Sequence, residues 1–224
     1  MGTKPPIVLV VDDEPSVCMA TGRLLRSAGY HVRTFENTQQ LFAHGRPDGP
    51  CCLILDLRIP GEDGLQFQRR LQDRGIQVPI IFISGHADVP SSVSAMKGGA
   101  IDFLAKPYDA AQLLDAIDKA LAQDVKQLSV NRHLVEIREH YASLTERERE
   151  VFAAVAAGLL NKQVADELGI AEKTVKVHRG RVMEKMVAVA AADLVRMADM
   201  LHLHWESPDN TATYADFAGQ LRLD

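Results

Sequence analysis

The sequence predicts an α/β domain, a doubly wound five-stranded parallel sheet, followed by a linker helix and an all-α domain of four helices built around a helix-turn-helix. Three observations predict it. Short apolar runs alternate with amphipathic stretches over the first half of the chain, the order that builds a parallel sheet covered by helices on both faces. Near residue 121 that alternation gives way to a seven-residue recurrence, and from Leu144 onward only helical periodicity remains. At roughly 150 residues per domain the 224 residues allow one large domain or two small ones, and two is the better fit.

The strand-length segments are 7–11, 31–35, 51–57, 79–84 and 101–104, and three of them are apolar nearly throughout, as strands buried on both faces must be. Between them Val17, Ala20, Leu24, Leu25 and Ala28 keep helical spacing, as do Leu113, Leu114, Ile117 and Leu121. Leu114, Leu121, Leu128 and Val135 then recur every seven residues through a polar stretch, which predicts a linking helix over 124–142. It is either a solvated amphipathic connector or a helix that pairs with its copy in a dimer. Thr145 followed by Glu148 forms a capping box, and helices are expected over 145–157, 161–168, 172–187 and 191–202, with Gly158 and Gly169 at the breaks. The expected organisation is thus 1–123, linker 124–142, helical domain 143–204, and a tail 205–224 with no assigned fold.

Composition excludes several classes. With 46% hydrophobic and 25% charged residues the chain is globular rather than disordered. Its apolar runs fall short of the roughly 18 residues that a membrane span needs. Lys4 and the apolar run after it resemble the start of a signal peptide, but Asp12, Asp13 and Glu14 end that run after five residues, so a cytoplasmic protein with no membrane partner is expected. Cys18, Cys51 and Cys52 lack the spacing of a disulfide framework or zinc knuckle and read as small core residues. A net charge of −5 argues against a general nucleic-acid coat, yet it averages over segments of opposite sign.

In open parallel sheets ligands sit beyond the carboxyl ends of the strands. Asp12 and Asp13 end the first expected strand, Asp56 the third, Ser84 the fourth, and Lys106 follows the fifth, so these residues converge despite distant numbering. Crowded carboxylates repel one another unless a cation neutralises them, and a hard divalent ion, Mg²⁺ by preference, suits oxygen-only ligands. Such an ion bridges a carboxylate and a phosphoryl oxygen while Lys106 and Ser84 contact the other phosphoryl oxygens, the acceptor being a carboxylate that forms an acyl phosphate. Each residue alone is an ordinary turn, cap or loop residue. Their conjunction in order is what singles them out.

Val10-Val-Asp-Asp-Glu-Pro15, Leu55-Asp-Leu-Arg-Ile-Pro-Gly61 and Phe103-Leu-Ala-Lys-Pro107 resemble the receiver domain of two-component response regulators over roughly residues 5–123. The resemblance implies that Asp56 accepts a phosphoryl group from a sensor histidine kinase, with Asp12, Asp13, Asp56 and the Arg58 backbone carbonyl around Mg²⁺. It further implies that Lys106 pairs with the phosphoryl group, that the Lys106–Pro107 bond is cis, and that Ser84 and Phe103 are the switch pair, the hydroxyl swinging toward the phosphoryl oxygens and the aromatic ring turning inward. The turn 60–64 carries two acidic residues more than expected, Glu62 and Asp63, which read as solvated. His86 resembles positions that tune the lifetime of the phosphoryl group, and a surface loop histidine is the alternative.

In the second half, Glu172 to Lys185 holds Lys173, Lys176, Arg179, Arg181 and Lys185 against Glu172 and Glu184, a basic stripe of the kind that enters a major groove. Leu144-Thr-Glu-Arg-Glu148, Asn161-Lys-Gln-Val-Ala165 and Thr174-Val-Lys-Val-His178 together resemble the LuxR-type helix-turn-helix of the NarL/FixJ class. Ser84-Gly-His-Ala-Asp-Val89 and Gly99-Ala-Ile-Asp-Phe103 point to the FixJ branch. The resemblance implies that Lys176 and Val177 face base edges of double-stranded DNA, with Lys173, Thr174 and Arg179 on phosphates. Leu160 and Ala171 stand where the class usually has a capping serine, at a cost of about 0.5–2 kcal/mol each. Gly180 costs roughly 1 kcal/mol within a helix but permits close approach to DNA. The apolar stretch 186–192 implies a last helix that starts early or buries a dimer face; the resemblance implies that this final helix packs two copies together on DNA, and Leu194, Met197, Ala198 and Leu201 have helical spacing compatible with that. His202 and His204 beside Trp205 are too few for a metal site and read as a helix end.

Three functions are weighed. The favoured one is a phosphorylation-switched transcription factor, not a turnover enzyme, that dimerises when Asp56 is phosphorylated and binds a promoter, with RNA polymerase as a further candidate partner. The second keeps the receiver as an unphosphorylated protein-binding module. The third is a phosphohydrolase with an aspartyl nucleophile, against which Glu14 stands two residues after Asp12 where a second Asp is expected.

Overall fold

A computed structural model describes residues 4–85 and 88–203. The chain forms two compact units, Met1–Ser129 and Val130–Asp224. His86, His204 and Trp205 lie outside the described residues, as does the whole tail.

In the first unit, β1 (Ile7–Val11), β2 (His31–Phe35), β3 (Cys51–Asp56), β6 (Ile80–Ser84) and β7 (Asp102–Ala105) form one parallel sheet in the order β2-β1-β3-β6-β7. Two two-residue strands, β4 (Arg58–Ile59) and β5 (Glu62–Asp63), make a separate antiparallel hairpin after β3. The expected five-stranded, doubly wound sheet is observed; the hairpin is too short to leave a periodic signal. β1, β3 and β6 are buried on both faces, which is why their sequences read as unbroken apolar runs. Alternate residues feed two separate cores. Val8, Val10, Cys52, Ile54, Ile81 and Ile83 pack against helices α1 (Pro15–Ser27) and α5 (Ala110–Ala142). Leu9, Val11, Leu53, Leu55 and Phe82 pack against α2 (Thr38–His44), α3 (Gly64–Asp73) and α4 (Val89–Lys97). The edge strand β2, by contrast, is largely exposed and carries Arg33 and Thr34.

Helix α5 is continuous for 33 residues, with no break where a separate linker helix was expected. Of the positions recurring every seven residues, Leu121 is buried in the first core and Leu114 packs against it, whereas Val135 is exposed and Ile137, two residues on, enters the core of the second unit. Asp124, just past the expected boundary at 123, is buried and accepts from Arg46 on both carboxylate oxygens at 2.7 Å and from the Cys51 N–H at 2.8 Å. A buried carboxylate must be paired, and this one is tied to the first residue of β3.

The second unit contains α6 (Glu146–Ala156), α7 (Asn161–Leu168), α8 (Glu172–Lys185) and α9 (Ala191–Met200) around Val151, Phe152, Val164, Val175, Val182 and Leu194. The capping box forms: the Thr145 hydroxyl accepts from the Glu148 N–H at 3.3 Å and Glu148 accepts from the Thr145 N–H at 2.9 Å. Gly158 and Gly169 adopt φ of 86° and 63°, ending α6 and α7. Leu160 and Ala171 make no side-chain cap, and at α7 Gln163 compensates by accepting from the Leu160 N–H at 2.8 Å. The last helix does not start early. Met186 is buried, Val187 turns the chain at φ 53°, and Asp193 then accepts from the N–H groups of Val189 and Ala190 to open α9.

Candidate functional site

The carboxyl ends of β1, β3 and β6 and the residues after β7 bring Asp12, Asp13, Asp56, Ser84 and Lys106 into one region. Lys106 Nζ donates to Asp12 Oδ2 at 2.7 Å and to Asp56 Oδ2 at 2.6 Å. Oxygens of Asp12, Asp13 and Asp56 all lie within 4.8 Å of one another. Backbone groups complete the first contacts: Glu14 N–H donates to Asp12 Oδ1 at 3.0 Å and Arg58 N–H to Asp56 Oδ1 at 2.8 Å. Lys106 is brought there by its own N–H, which donates to the Ser84 carbonyl at 2.8 Å and extends the β6–β7 pairing. The Lys106–Pro107 bond is cis. Gly64 opens α3 against the backbone of Asp56: a Cβ there would stand 2.9 Å from the Asp56 carbonyl oxygen and 3.1 Å from Leu57 Cα, so only glycine fits.

Burial differs across the cluster. Asp12 is fully buried and Asp56 is 7% exposed, so the latter meets solvent at the edge of the site, and Asp13 is exposed. Burial raises the Asp12 carboxyl above its ordinary value, outweighing the hydrogen bonds from Lys106 and Glu14. Burial works to lower the Lys106 ammonium, but hydrogen bonds to Asp12 and Asp56 prevail and raise it. Three carboxylates thus face one ammonium, and the most buried of them is undercompensated. An oxygen-only donor set short of positive charge fits a hard divalent cation.

Ser84 is 1% exposed at the end of β6, and Phe103 lies partly buried on β7 opposite Phe82, ring centroids 6.4 Å apart. The acidic pair Glu62 and Asp63 is not merely solvated. Glu62 accepts from the Thr38 hydroxyl at 2.7 Å and pairs with Arg70 at 3.0 Å, and Asp63 caps α3 by accepting from the Leu65 N–H at 2.9 Å. All three cysteines are buried and unpaired, with burial raising the Cys51 thiol to about 11 and Cys18 and Cys52 upward as well.

In α8, Val175 and Val182 point into the core, one heptad apart, which leaves Lys173, Thr174, Lys176 and Val177 exposed on the other side and Arg179 half-buried. Lys176 pairs with Glu172 one turn earlier at 3.1 Å, and Arg179 Nη1 donates to Asn161 Oδ1 at 2.9 Å. Lys185 leaves the basic stripe: its Nζ donates to the buried Glu148 at 2.6 Å and to the Ser143 carbonyl at 3.2 Å. Long-range pairs of this kind have no spacing signature, which is why sequence reasoning counted Lys185 as part of the stripe and missed Glu148 as its partner. No helix among the described residues is long and apolar enough to cross a membrane.

Residues 8–118 match the response regulator receiver domain, and residues 142–198 match the luxR family of bacterial regulatory proteins. Nodulation protein W of Bradyrhizobium diazoefficiens is 44% identical over 205 residues, covering 92% of this chain and 90% of that protein. The chain belongs to the NarL/FixJ family of response regulators. Another such response regulator, the transcriptional regulatory protein FixJ of Azorhizobium caulinodans, is 38% identical over 191 residues, covering 85% and 90% of the two chains. The solved structure of the response regulator StyR superimposes with a TM-score of 0.76 at 42% identity, covering 88% of this chain and 99% of that one. This response regulator therefore joins a receiver domain to a LuxR-type DNA-binding domain and acts in transcription.

Proposed function

We propose that Asp56 is the phosphoacceptor of this response regulator and that its phosphorylation governs dimerisation and promoter binding. The observation that carries the reading is the Lys106 ammonium held between Asp12 and Asp56 at 2.7 and 2.6 Å, beside Asp13. Asp12, Asp13, Asp56 and the Arg58 carbonyl would hold Mg²⁺, which when bound neutralises charge on the carboxylates and on the arriving phosphoryl oxygens. Asp56 contributes a carboxylate oxygen that attacks phosphorus as the N–P bond of a phosphohistidine on a sensor kinase breaks, and the departing imidazole takes up a proton. Lys106, already within hydrogen-bond reach of that carboxylate, then pairs with a phosphoryl oxygen. Ser84 follows by donating its hydroxyl to another oxygen, and Phe103 turns toward the space the hydroxyl leaves. The pocket thus takes part in its own phosphoryl transfer and hydrolysis without being a turnover enzyme.

The added charge shifts the population toward a form that pairs with a second copy, and two linked DNA-binding domains gain effective concentration on a paired site. On DNA, Lys176 and Val177 face base edges while Lys173, Thr174 and Arg179 take phosphates. The protein works in the cytoplasm, with promoter DNA and the kinase as its partners and RNA polymerase as a further one. Selecting bound genomic fragments with phosphorylated protein, then measuring their affinity by gel shift for wild type and Asp56→Asn, tests this. Phosphorylation should tighten binding at least tenfold, about 1.4 kcal/mol, in wild type alone. Full-strength binding by Asp56→Asn would replace the switch with a phosphate-independent binding module.

A further inference from the structure

The turn between Asp56 and α3 holds an acidic residue that phosphoryl transfer does not use. The chain leaves Asp56, pairs Arg58 with Asp63 and Ile59 with Glu62 in the β4–β5 hairpin, and closes at its base where Gly64 N–H donates to the Leu57 carbonyl at 2.9 Å. The base is fixed by Asp56 itself, whose Oδ1 accepts from the Arg58 N–H. At the hairpin's other strand, Glu62 Oε2 meets two groups from different helices. The Thr38 hydroxyl, on a residue 1% exposed at the start of α2, donates to it at 2.7 Å, and Arg70 of α3 pairs with it at 3.0 Å. The Arg70 guanidinium lies 5.1 Å from the ring centroids of both Phe42 on α2 and Phe67 on α3. A guanidinium stacked in this way has little freedom to follow a moving carboxylate, so Glu62 is held by a preformed socket.

We infer that Glu62 is a positioning residue for the cation site: through Thr38 and Arg70 it holds the hairpin that presents the Arg58 carbonyl. The inference rests on the reading of Asp12, Asp13, Asp56 and the Arg58 carbonyl as cation ligands. A backbone carbonyl has no rotamer to adjust and can be aimed only by fixing the turn that carries it, and outer groups of this kind typically set metal affinity by about tenfold or more. Both donors converge on the same Glu62 oxygen, and the charge of the carboxylate strengthens its bond to each.

The test is Mg²⁺ titration of the full-length protein by calorimetry, with thermal unfolding of each variant measured alongside. Thr38→Val and Arg70→Met should each weaken Mg²⁺ binding by about tenfold while remaining folded, and Glu62→Gln, which keeps an oxygen for Thr38, should weaken it less than either. The sign for Arg70→Met is decisive. Removing a cation near the site would tighten Mg²⁺ binding if charge alone mattered, so unchanged or tighter binding in Arg70→Met, or unchanged binding in Thr38→Val, overturns the inference. Asp13→Asn provides the separate check on the site. It should abolish Mg²⁺ binding, and wild-type affinity in Asp13→Asn would instead remove the cation site itself.

Discussion

Glu148 sits 2% exposed between two demands, since it completes the capping box of α6 and receives the ammonium of Lys185 from the far end of α8. The hydrogen bond from Lys185, then that from the Thr145 N–H, hold its carboxyl below the ordinary value of 4.5 against the opposing effect of burial. A carboxylate lowered on folding adds stability that is complete above its unfolded value and is lost as pH falls through its folded one. The DNA-binding unit should therefore lose stability on acidification below about pH 4.5, and Glu148→Gln should flatten that dependence in urea titrations run across the range. Lys185→Met leaves a buried carboxylate without its cation. Because the Lys185 side chain is 35% exposed, the loss should be nearer about 2 kcal/mol than the roughly 3–5 of a fully buried pair. The same residue illustrates what a sequence conceals: 37 positions separate the partners, and nothing periodic joins them.

At the scale of elements, strands and helices were legible where one physical rule governed a whole segment. β1, β3 and β6 announce themselves as apolar runs because both faces are covered, and the start of α6 and the ends of α6 and α7 follow from Thr145, Gly158 and Gly169. The places that escaped are those decided by one tertiary contact. Helix α5 still belongs to the receiver past residue 123, where Asp124 is locked to Arg46 and to the N–H of Cys51, a partnership across 78 and 73 residues. Arg46→Met should accordingly destabilise the receiver by about 3 kcal/mol in chemical denaturation, since it strands a buried carboxylate. The turn after α8 escaped for a different reason. Val187 is 68% exposed and takes a left-handed φ of 53°, a conformation that disfavours a β-branched residue. Val187→Gly should raise the thermal midpoint, by about 1 kcal/mol of stability, since no buried contact is given up.

Across the whole molecule, a net charge of −5 conceals two sites of opposite character, a carboxylate pocket in the receiver and a basic face on α8. The pocket was readable from the sequence because strand order converts five distant positions into neighbours, whereas the DNA contacts rest on exposure and resemblance. They are separable by salt: Lys173→Ala should weaken binding uniformly across sequences and reduce the salt slope by about one per bound protomer, while Lys176→Ala should alter sequence preference. Both effects concern DNA contact alone, whereas the proposed control of that contact rests on Asp56. The most direct measurement is intact-protein mass after incubation with acetyl phosphate and Mg²⁺, comparing wild type with Asp56→Asn. Wild-type protein is expected to gain one phosphoryl group, dependent on Mg²⁺, and Asp56→Asn none. Stoichiometric uptake by Asp56→Asn, or none by wild type, would contradict the assignment of Asp56 as acceptor.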